Sequence, residues 1–362
     1  MKRGDRTLKI LDRYVGIPIV FFLGLLRIKR KKMPNREPNV IGFLDTASIG
    51  DTVLVFGIIK DIRTRFRSAK LIFYTGPNNY DITKLIPELD QVIRLPINNP
   101  FKSVQLIKRE SYDIFIDFMS WPRINSLITS FAKSTIKIGF KTPNQFRHYV
   151  YDFTVSHSNE IHEIDNLRAL LKPMGVHSDS FPVINVSNDV NVRHVVLHMF
   201  PSGYRASLKL WPEENWVSIA QFLLSSGYEV SITGGPSDKL AGERFQERIG
   251  YSHEGFFNFC GKFSLSETIA LISKATLVIS VNTGIMHIAA ALNKNLIALH
   301  GPTNSKRWGP VNSNSVSLQS KYPGSPCLNL GFEYNCGRES CDCMKEISTI
   351  DVVNSIRTFI KI

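Results

Sequence analysis

A chain of 362 residues that is 43% hydrophobic and 21% charged is neither a disordered tail nor a low-complexity protein, and it is too long for one ordinary core, so two domains are expected. Its net charge of +13 is uneven: residues 1–190 hold 28 Lys and Arg against 18 Asp and Glu, while 191–362 hold 16 against 13. The first half therefore faces something anionic, and charge by itself does not choose between nucleic acid, an anionic membrane surface and a phosphorylated substrate.

The first 36 residues run basic (Lys2, Arg3, Arg6, Lys9), then apolar over 14–26, then basic again (Arg27, Lys29, Arg30, Lys31, Lys32, Arg36). The apolar stretch is short of the roughly 20 residues of a membrane span. No small-residue cleavage site follows it, and the cations behind it oppose export. It reads as a monotopic anchor, an apolar helix in the lipid interface with cations on the headgroups. The plainer alternative is a helix covering the domain's own core.

From residue 37 the pattern alternates. NVIGFLD (39–45) reads as a buried strand, and ASIGD leads into an apolar-periodic helix through Val53, Leu54, Phe56, Ile58 and Ile59. Further strands are expected at 70–76, 91–96, 112–118 and 135–140, with helices at 101–110 and 122–133, which makes a doubly wound parallel sheet. After a helical stretch at 160–174, the polar run 177–192 marks a domain boundary, set at 185/186. The alternation then restarts, with strands at 194–200, 228–235, near 257–260, 275–280 and 295–301 and helices at 213–226, 237–249, 264–274 and 284–292. The expected architecture is α/β with two Rossmann-like halves, 37–185 and 186–362, facing across a cleft, and a last helix able to pack back on the first half.

Open parallel sheets bind ligands outside the carboxyl ends of their strands, so the loops there carry the chemistry. In PSGYRASLKLWP (201–212), Ser202, Arg205, Ser207 and Lys209 could hold a diphosphate, or the loop could simply be solvated. In SVNTGIMHIAAAL (280–292), Asn282 and Thr283 stand at a turn, Gly284 permits close approach, and His287 lies one turn into a helix whose first amides form a ready anion site; a capped helix with a buried histidine is the alternative. Thr303 and Asn304 follow the next strand. Asp238, behind the TGGPSD turn, could meet a ribose hydroxyl. In the first half Asp51 follows Gly50 at a helix start, where a carboxylate stays ionised and suits a base; an N-cap aspartate is the commoner fate of such residues.

The LDRYVGIPIV opening, IGDTVL (49–54), KLWP (209–212), the TGGP turn, CGKFSLSETIALISKATLVIS (260–280), NTGIMHIAAAL and GPTNSKRWGP, in that order, resemble glycosyltransferase family 9, the ADP-heptose:lipopolysaccharide heptosyltransferases. The resemblance implies a GT-B fold, donor nucleotide held by the second half, acceptor by the first, and inversion at the anomeric carbon with no required metal or cofactor. It makes Asp51 the base, matches Lys209 to the lysine on the donor phosphates, and matches Thr283, Gly284 and His287 to the diphosphate loop. Ser202, Asp238, Asn282 and Thr303 complete the expected donor site, while Arg123, Lys141 and Arg147 are the expected cations for an anionic glycolipid acceptor. Many members carry aspartate where Asn282 stands, which leaves the donor sugar open. The implied setting is the cytoplasmic face of the inner membrane, with peripheral attachment.

Five cysteines, Cys260 alone and Cys327, Cys336, Cys341 and Cys343 near the end, fit reduced thiols; the C-x8-C-x4-C-x-C spacing lacks the paired C-x2-C knuckles of a zinc site. A Rossmann oxidoreductase is disfavoured because no G-x-G-x-x-G follows a strand. A basic membrane- or nucleic-acid-binding protein without catalysis fits the charge but leaves the second-half loops unexplained, and nucleic acid is not expected as a partner.

Overall fold

The computed structural model describes residues 12–26, 28–30, 32–186, 193–203, 205–250, 254–328 and 342–362. The chain divides into two compact units, Met1–Pro182 and Val183–Ile362. The first contains helix α1 (Gly16–Leu25), strand β1 (Val40–Asp45), α2 (Ile49–Arg65), β2 (Lys70–Thr75), β3 (Gln91–Arg94), α3 (Pro100–Ile107), β4 (Ser111–Asp117), α4 (Arg123–Ser130), β5 (Lys133–Lys141), β6 (Phe153–Ser156) and α5 (Glu163–Ala169). The second contains β7 (His194–His198), α6 (Glu213–Ser225), β8 (Glu229–Ile232), α7 (Lys239–Ile249), β9 (Phe256–Asn258), α8 (Leu265–Lys274), β10 (Leu277–Val281), α9 (Gly284–Ala291), β11 (Asn295–His300), β12 (Ser315–Gln319) and α10 (Thr349–Phe359).

Each unit is one six-stranded sheet, in the orders β3-β2-β1-β4-β5-β6 and β12-β11-β10-β7-β8-β9, and every pairing is parallel. The two winding orders are the same: out from the first strand by two, then back to its other side. Each sheet therefore has one switch point, between β1 and β4 and between β7 and β10, where neighbouring loops leave in opposite directions and open a crevice at the carboxyl ends.

The central strands are buried along their length because helices cover both faces, and their sequences are accordingly continuous apolar runs. In the first sheet Phe43 stacks on Phe118 and leans on Phe73. A Cβ at Gly42 would lie 2.5 Å from the Phe115 ring, so this strand accepts its aromatic neighbour only as glycine. In the second, Trp211, Trp216, Phe245 and the strand residues pack with Val352, Ile356 and Ile360, and the Trp211 Nε1–H donates to the Ile347 carbonyl at 2.9 Å. The closing helix α10 thus contributes Val352, Ile356 and Ile360 to the core of the second unit.

Two strands escape the sequence reading, β6 and β12. Both are sheet edges with half-exposed residues and hydroxyl-rich sequences, FTVS and SVSLQ, so no continuous apolar run announces them. The N-terminal apolar stretch forms α1, and no helix among the described residues is long and apolar enough to cross a membrane. Gly16, Val20, Leu23 and Gly24 turn toward the first unit, where Val20 and Leu23 pack with Leu127, Tyr149, Val150 and Tyr151. The helix both covers its own domain and leaves an apolar side exposed.

Helix α2 is buried over most of its length and is crossed by the segment near residue 180: a Cβ on Gly57 would stand 2.3 Å from the Ser180 carbonyl oxygen. Gly57→Ala is therefore expected to lower stability by about 1–3 kcal/mol, the usual cost of overpacking. Urea unfolding measures this, and an unchanged midpoint would show that residues 178–182 move aside without cost.

Candidate functional site

In the first unit the loop after β1 is fixed by its own side chains. The buried Asp45 carboxylate accepts from the Ala47 N–H (2.8 Å) and the Thr52 hydroxyl (2.9 Å). The Asn79 amide donates to the Asp45 carbonyl and to the Thr52 hydroxyl, both at 3.0 Å, tying the loop to the one after β2. Thr46 donates to Asn125 on α4 at 3.0 Å, tying it to the loop after β4 across the switch point. None of these five side chains, Asp45, Thr46, Thr52, Asn79 and Asn125, was singled out from the sequence. Asp45 alone carried a signal, as a carboxylate closing an otherwise apolar strand.

Asp51 is the third residue of α2, not its N-cap. Ser48 is the cap, and its backbone N–H (3.2 Å) and hydroxyl both donate to Asp51 Oδ2. The S-x-x-D spacing is a capping box, a pattern visible in the sequence. The carboxylate sits partly exposed at the amino end of a 17-residue helix, where the helix dipole favours its charge. Among the described residues no hydrogen bond is made to Oδ1.

The three expected acceptor cations separate. Arg147 is wholly buried: its guanidinium pairs with Asp117 (2.6 Å), bonds the Met119 carbonyl and lies 3.1 Å from the Tyr151 hydroxyl, which itself donates to Asp117 at 2.6 Å. Burial is the largest influence and opposes its charge, but Asp117, Tyr151 and Asp12 together hold the pKa above its ordinary value. Arg123 is also buried, donating to the Gln145 carbonyl (2.7 Å) and pairing with Asp12 ahead of α1. These arginines hold the loop after β4 and the N-terminal helix in place, which corrects their expected role as acceptor contacts. Lys141 stays exposed at the carboxyl end of β5.

In the second unit Ser202, Lys209 and Asn282, three of the expected donor residues, meet at the switch point. Lys209 closes a single 3₁₀ turn after β7, and its ammonium donates to the carbonyls of Ser202 (3.0 Å) and Asn282 (3.4 Å). It thereby bridges the loop after β7 and the turn after β10. Asn282 directly precedes Thr283, the N-cap of α9, so a cation stands beside the amino end of a helix. A lysine ammonium and the first amides of a helix are both groups that can meet an anion.

Around it, the Asn282 amide donates to the Trp308 carbonyl at 3.1 Å, fastening the loop after β11 to the turn. Thr283 and His287 are buried with only a small exposed fraction, and Thr303 shares a 3.3 Å hydrogen bond with His300. Asp238 stands one strand further out, after β8. Its carboxylate accepts from the Gly235 N–H (2.8 Å) and the Ser237 hydroxyl (3.3 Å), so it closes its own glycine turn. A Cβ on Gly234 would come within 2.9 Å of Phe200, which is why that turn is glycine.

Cys260 is a core thiol, pushed up to about 12 by burial, and it touches Gly242. Cys327 and Cys343 are buried, while Cys336 and Cys341 lie outside the described residues. His198, at the end of β7, went unnoticed in the sequence. It shares a 2.9 Å hydrogen bond with Thr233, and burial pushes it down to about 4, so it is neutral near pH 7.

Two wound parallel sheets in succession, the second with a cation and a helix terminus at its switch point, make the GT-B type of α/β architecture. The chain belongs to glycosyltransferase family 9 (heptosyltransferase), whose family model matches residues 101–336. Lipooligosaccharide heptosyltransferase 2 of Haemophilus influenzae is 31% identical over 125 residues, a stretch that spans 34% of this chain and 36% of the relative. Lipopolysaccharide heptosyltransferase 1 of Escherichia coli is 24% identical over 315 residues, covering 80% and 95%. The solved E. coli heptosyltransferase WaaC with ADP shares the fold at a TM-score of 0.71 and 19% identity, over 89% of this chain and all of that one, 100%.

As pH falls, the unfolded chain protonates His198 near 6.5, before the folded protein does near 4. The contribution of this group to stability is therefore full above 6.5 and is lost toward 4. Calorimetric Tm against pH should fall less steeply across that window in His198→Gln than in the unmodified chain; parallel curves would contradict the buried neutral imidazole.

Proposed function

We propose that this chain is an inverting glycosyltransferase that moves a heptose from ADP-heptose to a lipopolysaccharide core acceptor, with the donor on the second unit and the acceptor on the first. The observation that carries the reading is the Lys209 ammonium at the carbonyls of Ser202 and Asn282, beside the N-cap of α9. A fixed cation and the first amides of a helix form a receptor for a diphosphate. Relatives named as heptosyltransferases, and a fold relative solved with ADP, support the same donor.

In this reading Asp51 takes the proton of the acceptor hydroxyl as it attacks the anomeric carbon, and the diphosphate leaves from the opposite face. Ser48 fixes one carboxylate oxygen and leaves the other to the substrate. Lys209, His287 and the amides at Gly284 meet the charge that grows on the leaving diphosphate, a preorganised electrostatic contribution that needs no rearrangement during the step. Lys141 meets acceptor phosphate or acidic sugar. The acceptor is held at the inner-membrane surface, where the enzyme attaches peripherally from the cytoplasmic side, and the donor is a substrate, not a bound cofactor.

Asn282 favours one variation, a family 9 reaction on a different donor sugar. Its amide fastens the loop after β11 with an N–H that an aspartate would lack, so the pocket next to the sugar differs from that of members with the acid.

Incubation with ADP-heptose and a heptose-deficient lipopolysaccharide should add one heptose by mass, with the anomeric configuration inverted; a retained configuration would refute the single-displacement reading. Asp51→Asn should lower kcat by about 10²–10⁴-fold with ADP affinity unchanged, the scale of a lost general base. In Lys209→Met, calorimetry should show ADP bound about ten- to a hundredfold more weakly, the scale of a charge-assisted hydrogen bond. Unchanged affinity would remove Lys209 from the donor site.

A further inference from the structure

Helix α1 turns Gly16, Val20 and Gly24 inward, four residues apart, and so leaves the opposite side uncovered. Val15, Ile19, Phe22 and Leu26 follow helical spacing on that side and are exposed, Phe22 to 63% and Leu26 to 84%. Ile28 is 95% exposed just beyond the helix, and cations follow at Lys29, Arg30, Lys32 and Arg36.

Beside Ile28 is an open hollow of about 480 Å³ at the amino ends of β4 and β5, lined by Arg30 and Lys133 together with Ser111, Tyr112, Ser134 and Thr135. Among the described residues neither Arg30 nor Lys133 forms an ion pair through its side chain. Glu110 pairs with Lys70 and Asp113 with Arg36, while Asp152 accepts from the backbone N–H groups of Arg30 and Lys137. Two cations beside the exposed Ile28, at the end of an apolar helix, match a phosphate joined to acyl chains, a group whose charged and apolar parts lie side by side.

We propose that the first unit rests on an anionic bilayer through the exposed side of α1, with the phosphate of a lipid headgroup in the hollow between Arg30 and Lys133. The charge of the hollow selects a lipid surface over a second copy of this basic chain. The placement has a consequence for the reaction. Asp12, ahead of α1, is bonded to Arg123, the first residue of α4, so the helix starts at the switch-point edge that carries Asp51 and runs about 15 Å toward the hollow. A lipid-held acceptor would then reach that edge from the surface on which α1 lies. This deepens the proposed function and rests on it for the nature of the acceptor, while the lipid contact itself does not.

Flotation with vesicles tests it on the full chain. The protein should float with vesicles of phosphatidylethanolamine and phosphatidylglycerol and much less with phosphatidylcholine alone. Phe22→Glu with Leu26→Glu should abolish flotation. Arg30→Gln and Lys133→Gln should each weaken binding about fivefold and together erase the preference for the anionic vesicles. All of these variants should keep normal turnover on a deacylated, soluble acceptor. Equal flotation with both vesicle types, or an undiminished preference in the Arg30 and Lys133 variants, would overturn the headgroup site. Inorganic phosphate bound through Arg30 and Lys133 as tightly as the vesicles would overturn the lipid as its source. Self-association lost in Phe22→Glu, without vesicle binding, would overturn the bilayer as occupant. Flotation without transfer to any acceptor would count against the transferase and for this surface.

Discussion

The arrangement on which the functional account depends is a single ammonium held between two carbonyls. Lys209 spans the loop after β7 and the turn after β10, and those two strands are neighbours only because the chain winds outward through β8 and β9 and then returns. Parallel pairing forces both strands to end at the same edge, so two segments 73 residues apart meet there without any connection of their own. What meets is a cation and the start of α9, two features able to face the same anion.

The first unit solves the matching problem with hydrogen bonds instead of a cation. Asp45, Thr52, Asn79 and Asn125 bind the switch-point loop to its neighbours on both sides, and the buried Arg147–Asp117 pair holds the loop after β4. A buried ion pair gives little net stability when compared with apolar packing, because both charges lose their water. Its value here is geometric: removing either partner would leave a bare charge in the core, so the loop has one position. Asp51 stands on this rigid edge with one carboxylate oxygen fixed by Ser48.

That both halves are parallel α/β sheets was legible in the sequence because buried parallel strands need mostly apolar runs, and 39–45, 112–118, 194–200 and 295–301 provide them; the strand order was not. The edge strands β6 and β12 were not legible, since a half-exposed edge tolerates FTVS and SVSLQ. That Lys209 and Gly284 stand on loops at strand ends of the second sheet could be read from their order along the chain. The fate of the arginines could not: Arg123 and Arg147 look like Lys141 in a sequence, and only the fold shows that Asp12 and Asp117 take them inside. Asp238 likewise turned on its own glycine loop. Charge seen in a sequence reveals a potential partner, and burial decides which partner is internal.

The most direct measurement is a crystal structure of the chain grown with ADP. The account predicts that Lys209 leaves one or both carbonyls and places its ammonium about 3 Å from a diphosphate oxygen, with the amides at Gly284 directed to the same phosphate. ADP bound elsewhere, with Lys209 still on Ser202 and Asn282, would contradict it.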